Sequence, residues 1–286
     1  MKVQSLKEVI LGNKKDLMGV AIILIMCYHI ELGGIIENIR PLHFLKELCD
    51  VGVDIFMLLS GFSLAFSFSK DSNVISFYKK RVFRLLPSYL IVFSVWYVFL
   101  WLKDGGSIGR YFWNLGFLNY FIDNDLIIWF VPVILSYYLI TPLYIYALRR
   151  ITAFRYMPYM IVILNLIMLY LGLDPTFTLL RLPLFLYGIN LYLLDRRMTR
   201  IEFGHWSIFN TLSLVAGMAI SYWCLYEESV RYAYKYIAYI PIALFILKTY
   251  RPLKYGTVIL TFLGGGNFRN LSTSRTYSMA FGCSTI

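Results

Sequence analysis

The chain has 286 residues, 59% of them apolar and only 15% charged, against the roughly half-apolar, quarter-charged balance of a soluble domain. One soluble core cannot absorb that much apolar surface, so a soluble globular protein is excluded and the bilayer has to act as solvent. The net charge of +11 would raise nucleic acid as a partner for a soluble chain, but here the basic residues sit between apolar stretches, and membrane topology accounts for them.

The start, MKVQSLKEVILGNKKDLMGVAII, is basic and then apolar in the manner of a signal peptide. No small-residue cleavage site follows, so it reads as a retained first span. A helix needs about 20 apolar residues to cross the hydrocarbon core. Eight stretches approach that length: 17–36, 51–69, 85–102, 126–148, 156–173, 177–195, 207–226 and 232–247. A ninth opens at 256, GTVILTFLGGG, and stops early. The aromatic stretch 107–122, SIGRYFWNLGFLNYFI, is too short and polar-studded for a span and reads as an interfacial segment within a loop. The expected fold class is therefore an all-α polytopic transmembrane bundle, with no internal repeat and no soluble domain.

Basic residues alternate between the loops. Eighteen fall on one side: Lys2, Lys7, Lys14 and Lys15; Lys70, Lys79, Lys80, Arg81 and Arg84; Arg149, Arg150 and Arg155; Arg196, Arg197 and Arg200; Lys248, Arg251 and Lys254. The intervening loops hold six, Arg40, Lys46, Lys103, Arg110, Arg231 and Lys235. Cytoplasmic loops carry the excess, which puts the N-terminus inside. Cys27, Cys49, Cys224 and Cys283 form no CxxC pair, so neither a disulfide framework nor a zinc site is indicated. No His, Cys and carboxylate cluster has ligand spacing either, and no metal is expected.

Ionisable groups inside a span cost about 2.5–3.5 kcal/mol each on insertion scales, which makes each a functional candidate. His29 and Glu31 lie in the outer half of the first span. Two residues apart, they cannot share a helical face. Asp50 and Asp54, at i and i+4, open the returning second span, with Asp54 near the depth of His29. A carboxylate beside an imidazole fixes its tautomer and raises its basicity, as a general base requires; equally, the two groups serve as polar glue between helices. Arg181 interrupts the span that opens at 177, near its outer end, and either snorkels to the interface or clamps an anion or carbonyl oxygen. Arg81 and Arg84, at i and i+3, share a face and suit one set of phosphates; the alternative is ordinary attraction to anionic lipid.

Five strings in order, LMGVAIILIMCYHI, VGVDIFMLLSGFSLAF, FYKKRVFRLLPSYLI, LIIWFVPVILSYYLITPL and LLRLPLFLYGINLY, resemble the successive signatures of the integral-membrane acyltransferase 3 family. They cover residues 17–192, and beyond 195 the likeness is hydropathic alone. The resemblance implies a ten-helix O-acyltransferase that takes an acyl group, acetyl or a similar small one, from cytoplasmic acetyl-CoA or another acyl-CoA. Its acceptor would be a hydroxyl of a surface or lipid-linked carbohydrate. His29 then matches the catalytic base and Asp54 the acidic position that orients it. Arg81 and Arg84, with Lys80, match the basic loop for the coenzyme A phosphates. Arg181, Glu31 and Trp129 fall at the acceptor side. The family's usual setting implies a bacterial inner membrane.

Two departures stand out. The family's arginine eleven residues before the histidine is Met18 here, with Lys14 and Lys15 nearby. At the end, NFRNLSTSRTYSMAFGCSTI replaces a closing string resembling ISYSIYLIH. With codons chosen for Asn267 to Arg275, a one-base slip yields ISEIYLHH, so a frameshift in the run Gly264 to Gly266 is one expectation. The membrane domain is drawn as 1–265 and an atypical tail as 266–286. The rival readings are a glycan or lipid transporter or flippase, which also wants buried charge, and an inactive truncated relative.

Overall fold

The computed structural model describes residues 6–31, 34–105, 107–123, 129–194, 206–227 and 233–250. Among them there is no strand. The helices are α1 (Leu6–Tyr28), α2 (Ile35–Asn38), α3 (Arg40–Leu48), α4 (Val51–Lys70), α5 (Val74–Asp104), α6 (Ile108–Leu115), α7 (Leu118–Phe121), α8 (Phe130–Arg150), α9 (Met157–Tyr170), α10 (Phe177–Leu193), α11 (Trp206–Tyr226) and α12 (Tyr234–Thr249). A 3₁₀ turn, Thr152–Tyr156, leads into α9.

Each of the eight expected spans coincides with a helix. By length and composition, four runs suffice to cross a membrane: Arg40–Lys70, Val74–Lys103, Phe130–Arg150 and Thr152–Tyr170; Phe177–Leu193 and Thr211–Tyr226 are shorter apolar helices. The expected ninth span at 256, the tail from 266, and Arg196, Arg197, Arg200, Arg231, Arg251 and Lys254 lie outside the described residues.

The helix ends differ from the hydropathic ones for local reasons. The first span was expected over 17–36, but α1 begins at Leu6 and ends at Tyr28. The chain then turns, and Gly34, at φ 83°, takes the left-handed conformation that opens α2 and that suits a residue without Cβ. The third span was expected from 85; α5 starts at Val74, where the Asn73 side chain accepts from the Ser76 N–H as an N-cap. Its 31 residues reach about 46 Å, well beyond a hydrocarbon core of about 30 Å. The interfacial segment is the pair α6 and α7, folded onto α5. Tyr97 donates to the Ser107 carbonyl at 2.9 Å, and Ser94 and Tyr111 share a 2.8 Å hydrogen bond.

The centre of the bundle is α4 against α10. Gly61 of α4 lies against the backbone carbonyl of Phe185, and Gly188 of α10 against that of Leu58, so a methyl group at either place meets main chain. Without a hydrophobic drive between helices in lipid, this close approach of small residues is what dispersion requires. Gly52 does the same for α1, 2.6 Å from the Ala21 carbonyl at the position of a Cβ. Around this seam, Ile10, Leu17 and Ala21 of α1 and Tyr239 and Ala243 of α12 join Ile55, Leu58 and Phe62 on one side. Met57, Phe68, Tyr137, Ile145, Phe185 and Ile189 fill the other. In contrast, only Phe77, Tyr89, Phe93 and Tyr97 of α5 are buried.

Candidate functional site

Glu47 of α3, Asp50 in the turn before α4 and Asp54 in its first turn form a stripe of acids across the α3–α4 junction. Arg181 of α10 reaches that stripe. Its guanidinium donates to Asp50 at 2.9 Å through Nη2 and to Asp54 through Nη1. Arg181 and Asp54 are each 1% exposed. Arg181 therefore does not snorkel to the interface, as one sequence reading had it: the two carboxylates supply at depth the counter-charge that a lone guanidinium would seek in water. The Nε of Arg181 and the Oδ1 of Asp54 are buried without a hydrogen-bond partner among the described residues.

The stripe gains a second cation that sequence reasoning missed. Lys235, counted above as a loop charge, is buried near the start of α12, where its ammonium donates to Glu47 at 2.9 Å. Its hydropathic setting gave no signal. The available clue was three acids within eight residues, Glu47, Asp50 and Asp54, more negative charge than Arg181 alone balances. Aromatic faces close the site: Arg181 lies 4.5 Å from the Tyr236 ring centroid and 5.9 Å from that of Trp129, and Lys235 lies 5.9 Å from that of Tyr28.

His29 is placed differently from the sequence expectation. Asp54 is committed to Arg181, and the imidazole is instead held by its own helix, Nδ1 lying 2.8 Å from the Ile25 carbonyl. A carbonyl oxygen only accepts, so Nδ1 carries a proton, and in the neutral ring Nε2 is the nitrogen with the lone pair. That is the tautomer the carboxylate was invoked to fix, obtained from the backbone because the chain is still in the last turn of α1. The ring is exposed and lines a cleft of about 640 Å³ bounded by α1, α4, α5 and the start of α8. Ile25, Val53 and Trp129 line it too, as does a run of α5 residues from Leu85 to Trp96. His29 and Trp129 are thus brought to one cavity, with Arg181 behind the Trp129 ring. Glu31 is exposed beyond the end of α1 and joins neither group.

At the other end of α1 and α5 lies a group of cations. Burial and the nearby charges of Arg84, Arg81 and Lys15 hold the Lys14 ammonium below the usual lysine range; Lys14 precedes the stretch expected to enter the membrane. No carboxylate among the described residues pairs with Lys14, Arg81 or Arg84. The Arg81 Nε is buried without a hydrogen-bond partner, and its guanidinium stacks 5.5 Å from the Phe77 ring centroid. Lys80 is different. Its ammonium is 2.9 Å from Asp71 in the turn before α5. Hydrogen bonds from Lys80, Ser76 and the Asn73 N–H hold the Asp71 carboxyl down at about 2. The three basic residues expected to act together thus separate into two that are free of counter-ions and one that fastens a turn. Lys14 lies one turn before Met18, close to Arg81 and Arg84.

Comparison with known proteins places this arrangement. The acyltransferase 3 family model, an acyltransferase domain, matches residues 17–266, most of the chain. No curated protein and no solved structure matches it.

Proposed function

The chain belongs to the acyltransferase 3 family, and on that premise we propose that it moves an acyl group from an acyl-CoA, acetyl-CoA or another, to a hydroxyl of a surface or lipid-linked carbohydrate. The setting would be a bacterial inner membrane with the N-terminus in the cytoplasm. The chain is a membrane acyltransferase by its family; donor, acceptor, side of the membrane and residue roles are this reading.

The observation that carries it is His29: an exposed imidazole at the rim of a cleft, with Nδ1–H tied to a carbonyl and Nε2 available. Nε2 takes the proton of the acceptor hydroxyl as its oxygen attacks the thioester carbon. The C–O ester bond forms, the C–S bond breaks, and the imidazolium returns the proton to the departing thiolate. Asp54 keeps a positioning role: with Asp50 it neutralises Arg181, which backs the Trp129 wall of the cleft. Lys14, Arg81 and Arg84 are suited to the phosphates of the donor, since they gather three cations that no carboxylate among the described residues pairs with. Lys14 lies about 22 Å from His29 along α1 at 1.5 Å per residue, on the side the charge pattern assigns to the cytoplasm.

The test is His29→Ala, assayed for acyl transfer from labelled acyl-CoA in membranes containing the full chain. The side chain is exposed and its contacts are local, with the Ile25 carbonyl and the Tyr28 ring, so the variant is expected to keep its membrane level and lose at least 100-fold in rate, the range general-base catalysis supplies. Undiminished transfer removes His29 from the mechanism.

A further inference from the structure

The cleft beside His29 is built for hydrocarbon and opens toward lipid. Leu85, Ser88, Val92 and Trp96 of α5 line it at i, i+3, i+7 and i+11, a single helical stripe. Val92 is 68% exposed while lining it, and Ser88 is exposed as well. In a helix long and apolar enough to cross the membrane, that exposure places the mouth of the cleft against the acyl chains of the bilayer. The lining offers few polar atoms: His29, Ser88, the indole N–H groups of Trp96 and Trp129, and a Tyr89 hydroxyl already donated to the Leu115 carbonyl.

Two occupants are available on the proposed reading, and their chemistry separates them. The arm of an acyl-CoA carries amides, and each amide buried without a partner costs about 1–3 kcal/mol; a sugar ring, with several hydroxyls, fares worse. An aliphatic chain needs no partners. Depth gives the second argument. Along α5 the lining runs from Leu85 to Trp96, eleven residues and about 16 Å, and on the proposed topology Trp96 and His29 both lie toward the outer side. That length is close to half of a hydrocarbon core of about 30 Å, the depth of one leaflet. A polar group at His29 with a tail running toward Leu85 is the layout of a lipid in the outer leaflet.

We propose that the cleft binds the hydrocarbon tail of the acceptor, so that the acceptor hydroxyl reaches His29 on a lipid-anchored molecule that enters sideways from the bilayer. This rests on the acyl-transfer reading above, with His29 as base and the N-terminus inside.

The experiment uses the full chain in liposomes, a glycoside series bearing no chain or alkyl chains of increasing length, and labelled acyl-CoA. At equal concentration in the bilayer, kcat/KM is expected to rise several-fold from the shortest to the longest alkyl glycoside and to level off once the cleft is filled. Val92→Asn, at the mouth, is expected to flatten that dependence. A photoactivatable alkyl glycoside gives a readout that needs no turnover: it is expected to label peptides containing Leu85 and Val92, in competition with the long-chain glycoside. Equal use of chainless and long-chain acceptors, or a chain-length dependence on the acyl-CoA instead, overturns the assignment. Transfer to no acceptor together with competed labelling leaves the tail site standing and defeats the acyl-transfer reading. No labelling together with transfer indifferent to the chain defeats the tail site alone.

Discussion

Arg181 of α10 and Asp54 of α4, 127 residues apart in sequence, share a hydrogen-bonded ion pair sealed from solvent. Asp50 holds the second arm of the same guanidinium. The pair ties the two central helices beside the wall of the cleft, and its loss acts on both.

Removing one partner from a buried pair leaves the other uncompensated, at a cost of about 3–5 kcal/mol. Arg181→Ala is expected to lower the thermal stability of the purified protein by an amount of that order and to reduce its membrane level. Arg181→Lys is expected to recover part of it, because one ammonium cannot serve both carboxylates with fixed fork geometry. A melting curve in detergent, read against wild type, checks both.

Gly61→Ala and Gly188→Ala each place a methyl group against a main-chain carbonyl of the facing helix. Forced separation of α4 and α10 is expected to cost at least about 1–3 kcal/mol for each variant. Gly12, which meets nothing within 4 Å, is the control: Gly12→Ala is expected to leave the melting temperature within a degree or raise it slightly through helix propensity.

The cations at the foot of α1 and α5 divide by partner. Arg81→Ala and Lys14→Ala are expected to raise KM for acyl-CoA several-fold, with kcat changed much less, as loss of ground-state phosphate contact requires. Lys80→Ala is expected to leave KM within twofold, because its ammonium is engaged by Asp71. Initial-rate kinetics over a donor series, at two salt concentrations, separates the groups, with the salt dependence shrinking in the first two variants only.

Asp71 gives the turn before α5 a pH dependence of known sign. Its carboxyl is held at about 2 in the folded chain against an ordinary 3.8. The stabilisation is therefore complete above about pH 4 and is lost as pH falls from there through 2. The side chain is exposed and screened, so the effect is local and small. Proteolysis at residues 70–74 is expected to accelerate across that window in wild type, and to show no such step in Asp71→Asn.

The helices were legible because long apolar stretches favour them in lipid, and each of the eight apolar stretches falls on a helix, four of them in runs long and apolar enough to cross a membrane among the described residues. Their ends were not, since Asn73 and Gly34 act through caps and backbone conformation that an apolar window does not sense. Of the site, His29 and the basic pair were readable as charges in the wrong solvent. Pairings were beyond reach: Asp54 was matched with His29 because sequence gives depth along a helix but not the rotation that turns it to Arg181. Lys235 was read as a loop charge for the same reason. That Lys14 of α1 lies near Arg84 of α5 was equally beyond reach, since nothing in the sequence pairs those two helices.

The reciprocal glycine contacts between α4 and α10 also bear on movement. Two helices that touch main chain to main chain have no room to slide, so they behave as a single plank. Whatever breathing lets large substrates in and out falls to α5, which is held by four buried aromatic residues and carries Pro87 near the foot of the cleft. Spin-label distances from α4 to α10 are expected to stay narrow through turnover, and those from α4 to α5 to broaden.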